Sequence, residues 1–97
     1  MMRGKIIAVD YDGTLEQNGA PNMRLISFLK RQQACGVTVI LWTCRGGQRL
    51  NDALVKLRKS GFAPNYVNQN APGAIAALGH DPRKIYADLY IDDKATN

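Results

Sequence analysis

Apolar positions along this chain fall into short continuous runs and longer periodic stripes, and the two alternate. Ile6-Ile7-Ala8-Val9 is continuously apolar, the pattern of a strand buried on both faces of a parallel sheet. Val37-Thr38-Val39-Ile40-Leu41-Trp42 is β-branched and apolar and predicts a second strand. Between them Leu25, Ile26, Phe28 and Leu29 form one stripe of a helix, with Arg24, Lys30 and Arg31 on its wet side. Asn22 is a suitable N-cap for that helix, and Gly36 a suitable stop. Leu50, Ala53, Leu54 and Leu57 recur at i, i+3, i+4 and i+7, predicting a second helix with Gly61 just past its end. Tyr66-Val67 reads as a short third strand and Leu89-Tyr90-Ile91 as a fourth. Residues 16–21 read as a polar surface loop, and the small, Ala-rich region 70–79 as a loop with a weak helix. Asp81-Pro82 reads as a further helix start. Trp42 and Tyr90 are expected in the core or on a sheet face.

Strands alternating with helices predict one α/β domain over residues 1–97, a three-layer sandwich around a short, mainly parallel, four-stranded sheet with right-handed crossovers. In such sheets the functional crevice lies at the carboxyl ends of the strands. Asp10, Thr43 and Asp92 each follow directly after a predicted strand. All three are therefore expected at one rim.

Charge sharpens that expectation. Thirteen Lys and Arg face eight Asp and Glu, a net charge of +5 and a pI near 9.5. Four of the eight acids are Asp10, Asp12, Asp92 and Asp93, so the rest of the surface is strongly basic and attracts anions. No apolar stretch approaches the roughly 20 residues of a membrane span. The apolar run before Asp10 is too short for a secretory signal core, so a cytoplasmic protein is expected. Cys35 and Cys44 have neither metal-site nor disulfide-framework spacing and read as reduced thiols. The lone His80 falls in a turn and reads as exposed.

Four carboxylates gathered at one end of a small core repel one another unless a cation sits among them. Oxygen donors without a His or Cys cluster favour magnesium, which takes one or two carboxylates plus water and phosphate. With that chemistry in view, the strand and turn from Ile6 to Leu15, with its Asp10-Tyr11-Asp12-Gly13-Thr14, resembles the first motif of the haloacid dehalogenase-like (HAD) superfamily. Leu41-Trp42-Thr43 resembles the second motif, Lys84 stands where the third motif has its lysine, and Leu89-Tyr90-Ile91-Asp92-Asp93 resembles the fourth. Trp42-Thr43-Cys44-Arg45 is also similar to small, capless bacterial and phage members.

The resemblance implies a Rossmann-like, HAD-like fold and a phosphatase. Asp10 would be the nucleophile forming an aspartyl-phosphate, and Asp12 the general acid and base. Magnesium would be held by the Asp10 carboxylate, the Asp12 carbonyl, Asp92 and Asp93, the last directly or through water. Thr43 would hydrogen-bond a phosphate oxygen, and Lys84 would offset charge on the phosphoryl group; Arg83 and Lys94 are the competing cations. Tyr11, Cys44 and Arg45 are candidate substrate contacts: Tyr11 lining the pocket between Asp10 and Asp12, backbone N–H groups near Tyr11 and Cys44 as donors, and Arg45 through its guanidinium. The segment from Leu15 to Asn22 is too short for a cap domain. The site is therefore expected to be open, to a small phosphorylated substrate or a nucleic-acid end. A second copy of the chain could cover an exposed sheet edge. Two other readings stand beside this one: a receiver-like phospho-acceptor domain, and a polyanion-binding or regulatory module without catalysis. Motif order counts against the receiver, which does not end its chain on an acid pair.

Overall fold

A computed structural model of the chain describes residues 4–81 and 85–93. In chain order its elements are β1 (Ile6–Asp10), β2 (Glu16–Gln17), β3 (Ala20–Pro21), α1 (Met23–Ala34), β4 (Thr38–Trp42), α2 (Gly47–Lys59), β5 (Tyr66–Val67), α3 (Pro72–Leu78) and β6 (Leu89–Ile91). The four longer-range strands form a parallel sheet in the order β5-β4-β1-β6. Numbered among themselves, these strands run 3-2-1-4. That is the Rossmann order, not the 2-1-3 order of flavodoxin-like receivers. Winding reverses between β1 and β6, so the crevice of this fold lies above that junction.

The strand alternation divides the core into two layers. Ile7, Val9, Val39, Leu41 and Ile91 pack on one face against Ile26 and Leu29 of α1 and Ala53 and Leu57 of α2. Ile6, Ala8 and Ile40 pack on the other face against Ala71 and Ala74, where α3 lies. Helices thus cover both faces, and the α/β three-layer expectation holds. Among the described residues no helix is long and apolar enough to cross a membrane.

Local chemistry explains the boundaries. Asn22 caps α1 through its Oδ1, which accepts from the Leu25 N–H at 3.2 Å. In the segment expected to be a plain loop, β2 and β3 pair as a small antiparallel hairpin. Its turn is Asn18-Gly19, and both residues have positive φ (53° and 79°). That is the backbone a two-residue primed turn requires and Asn-Gly favours. The Ala-rich region condenses into α3, with Pro72 in its first turn and Gly79 in the left-handed conformation at its end. The helix start expected at Asp81-Pro82 lies partly outside the described residues.

The edge strands β5 and β6 are short, and side chains extend their pairing. Asn65 Oδ1 accepts from Val39 N–H, Asn68 Oδ1 from Thr43 N–H and Asp88 Oδ2 from Ile6 N–H, each at 2.8 Å. Thr43 is buried, so Asn68 matters most for the site. Asn68→Ala strands a buried donor and is expected to lower stability by about 1–3 kcal/mol in chemical denaturation. Asn68→Asp keeps the acceptor and should lose less.

Of the two places expected for Trp42, core or sheet face, it takes the sheet face and is 47% exposed. It shares a face with Ile40 two residues earlier, but the apolar layer on that face ends at Ile40 along β4. Tyr90 is half-buried as expected, and its hydroxyl donates to the Ile85 carbonyl at 2.6 Å.

Candidate active site

The register of the sheet brings the predicted residues together. Val9 of the central strand pairs with Leu41 of β4 on one side and Ile91 of β6 on the other. The next residues along β1 and β6 are Asp10 and Asp92, on strands about 4.8 Å apart. Thr43 directly follows β4 at the same rim. Asp93 is fixed by a close approach to the Asp10-to-Thr14 turn. A Cβ on Gly13 would lie 3.1 Å from the Asp93 Cβ and 3.4 Å from its Oδ2, and Gly13 has φ +79°. Gly13→Ala is accordingly expected to cost about 1–3 kcal/mol and to push Asp93 aside. Thermal unfolding checks the first effect, and the position of Asp93 in a crystal structure of the variant the second.

The electrostatics of Asp10 follow from this gathering. Burial raises its pKa above the ordinary value, the neighbouring carboxylates of Asp93, Asp12 and Asp92 raise it further, and a hydrogen bond from the Tyr11 N–H pulls the other way. A carboxylate so placed favours a proton or a cation beside it. Among the described residues, no three Asp, Glu, His or Cys side chains cluster into a ready-made metal cage. Magnesium does not need one, because it is bound by one or two carboxylates with several waters and phosphate oxygens. Neighbouring Asp10 and Asp92, with Asp93 close by, fit that donor set and do not fit a closed zinc site. Thr14 Oγ1 is buried with no protein partner among the described residues, a hydroxyl that a water molecule would satisfy.

Asp12 is held differently. Arg45 grips it as a fork, Nε and NH2 reaching its carboxylate oxygens at 3.0 and 2.8 Å. This hydrogen bonding first, helped by the charges of Arg45 and Arg49, lowers the Asp12 pKa against the opposing effect of burial. Arg45 is itself pinned from beneath. Its guanidinium lies 4.7 Å from the centre of the Tyr11 ring, a cation–π contact. The Tyr11 hydroxyl donates to Glu16 Oε2 at 3.2 Å, and Lys56 reaches the same oxygen at 3.2 Å. Burial first, then Glu16, raises the Tyr11 pKa.

These contacts refine the expected substrate set. The Tyr11 ring is in the core, so Tyr11 meets the rim through its backbone N–H. Arg45 occupies its fork with Asp12 rather than pointing to solvent. Cys44 is an exposed free thiol beside Thr43. The Thr43 hydroxyl accepts from the Arg45 N–H at 3.1 Å and keeps its own proton to donate. Lys84 and its competitors Arg83 and Lys94 lie outside the described residues.

No family model matches the chain, and no curated protein does. A solved structure of a conserved protein coded by a locus of Bacteroides thetaiotaomicron does match. It covers 94% of this chain and 77% of that one, at 32% identity and a TM-score of 0.78. The two chains belong to one family. The two share the Rossmann-like α/β fold described above, and in this chain the rim carries the constellation built here. Two members of that constellation, Glu16 and Asn68, escape a reading of the sequence alone. Glu16 sits in a segment that reads as loop, where Asn18-Gly19 is the available hairpin signal. Asn68 directly follows the two-residue strand β5, where a side-chain amide can stand in for the missing ladder.

Proposed function

We propose that this chain is a magnesium-dependent phosphatase of the HAD superfamily, acting on a phosphomonoester through an aspartyl-phosphate on Asp10. One observation carries the reading: Asp10 and Asp92 lie at adjacent strand ends at the switch point of the sheet, with Thr43 just past the end of the flanking strand β4. In the first half-reaction an Asp10 oxygen attacks phosphorus as the P–O bond to the alcohol breaks, and Asp12 gives its proton to the departing oxygen. In the second, Asp12 takes a proton from water as that water attacks the phosphoryl group and releases Asp10. Arg45 favours the carboxylate form of Asp12, the form needed for this second step. A phosphate dianion presents the same oxygen geometry to the guanidinium, so its arrival draws Arg45 away and lets Asp12 carry the proton for the first step. The Thr43 hydroxyl supplies a donor where charge develops on a phosphate oxygen, while the Tyr11 N–H holds the Asp10 carboxylate.

Magnesium, held by the Asp10 carboxylate, the Asp12 carbonyl and Asp92 with Asp93 in support, would neutralise the repulsion between two anions that must meet. The Rossmann strand order counts against the receiver-like alternative. Release of phosphate from an aryl phosphate tests the proposal. Turnover is expected to vanish with chelator and return with magnesium, and turnover indifferent to both contradicts it.

A further inference from the structure

The chain's single tryptophan is placed where a substrate would meet it. Trp42 is the register partner of Asp10 on the neighbouring strand. Asp10 and Trp42 each lie two residues beyond Ala8 and Ile40, which share the layer on the α3 side. Alternation therefore puts the carboxyl and the indole on the same face of the sheet, on strands about 4.8 Å apart. By the same alternation Asp92 falls on that face across β1, so Asp10 has an acid on one flank and an aromatic ring on the other. The register partners just before them, Val9, Leu41 and Ile91, are buried, whereas Trp42 is 47% exposed.

An indole left half in water beside a carboxylate gains by being covered. The segment after Leu15 supplies only the small hairpin β2–β3, so the substrate's alcohol is recognised by the rim itself. Trp presents a broad π-face, on which planar rings stack with little demand for a specific hydrogen-bond pattern. The +5 net charge draws phosphorylated anions to the same surface. Resting on the phosphatase reading of Asp10, we infer that the substrate's alcohol carries a planar aromatic ring that stacks on Trp42. The substrate class is then a nucleotide phosphate, free or at the end of a polynucleotide.

Because Trp42 is the only indole, its fluorescence reports the contact directly. A nucleoside monophosphate titrated into the Asp10→Asn protein is expected to quench the emission in a saturable way, whereas ribose 5-phosphate is not. In the active protein, Trp42→Ala should lower the ratio of kcat/KM for a nucleoside monophosphate to that for ribose 5-phosphate by about 5- to 150-fold, the range for losing one base-stacking contact. The loss should fall on KM, and Trp42→Phe should restore much of it. A phosphorylated oligonucleotide run alongside distinguishes the two sources. Preference for it or for the mononucleotide over the sugar phosphate supports the inference and assigns the source. Equal use of all three, or a ratio unmoved in Trp42→Ala, overturns it. So does a ligand-free emission shielded from acrylamide in a sedimenting dimer, which would put a second copy on Trp42. Failure of the phosphatase reading looks different: no phosphate is released from any substrate, whatever the fluorescence shows.

Discussion

Asp10→Asn is expected to abolish phosphate release, by on the order of 10⁴-fold or more, while the protein unfolds at a higher temperature than its parent in chelator. The first effect follows from removing the oxygen that forms the covalent intermediate. The second follows from the electrostatics of the rim. Burial, reinforced by the charges of Asp93, Asp12 and Asp92, raises the Asp10 pKa above its ordinary value of 3.8. Between the ordinary and the raised value, the folded chain holds a proton that the unfolded chain has released. Stability of the metal-free protein therefore falls as pH rises through that window and stays reduced at neutral pH. Asparagine carries no charge to repel, so the variant lacks this fall and should gain a few degrees in Tm. Magnesium should raise the parent's Tm and raise the variant's less. Turnover retained in a folded Asp10→Asn protein removes Asp10 from the nucleophile's role. Asp12 titrates with the opposite sign. Its pKa is lowered by Arg45, so its contribution is present above the ordinary carboxylate value and is lost as pH falls through the lowered one.

The second large effect is expected at Tyr11, where the core and the site share one side chain. Tyr11 is 2% exposed and among the largest fully buried side chains. Tyr11→Ala removes that ring from the layer between the sheet and the α1 and α2 face, and an aromatic-to-alanine change in a core costs about 3–5 kcal/mol. Against the roughly 5–15 kcal/mol that holds a domain of this size together, this leaves a marginal protein. The loss also takes away the ring beneath Arg45, so Asp12 loses its fixed partner. Tyr11→Phe separates the two roles. It keeps the packing and the cation–π face and gives up one part-buried hydroxyl bond to Glu16, worth about 0.5–1.5 kcal/mol. Urea denaturation of the pair should show a large shift for alanine and a small one for phenylalanine. Equal shifts would mean that the hydroxyl, not the ring, is what matters.

Much of this is legible in the sequence, for reasons that differ by element. The Ile6–Val9 and Val37–Trp42 runs announce buried strands because a parallel sheet covered on both faces needs no polar alternation. The Leu50, Ala53, Leu54, Leu57 spacing leaves little choice but a helix. Since strand ends fix the rim, Asp10, Thr43 and Asp92 could be placed together from sequence order alone. What was hidden depends on contacts made across the chain. Arg45 reads as a candidate substrate contact, and only the folded loop between β4 and α2 shows it over Tyr11 and against Asp12. Asn68 carries no signal of its own in the sequence; its role comes from its Oδ1, which accepts from the Thr43 N–H. Trp42 reads as core or sheet face alike, because hydropathy cannot tell where a covering layer stops, and the layer on its face stops at Ile40.

Binding of a divalent ion tests the central claim most directly, with Mn²⁺ as the paramagnetic probe and no substrate present. The account predicts one ion per chain, with Asp10→Asn and Asp92→Asn each weakening its binding about tenfold or more, and displacement of the probe by magnesium. Mn²⁺ affinity unchanged in both variants would mean that the acids at the ends of β1 and β6 do not share an ion, and the proposed chemistry would fall with them.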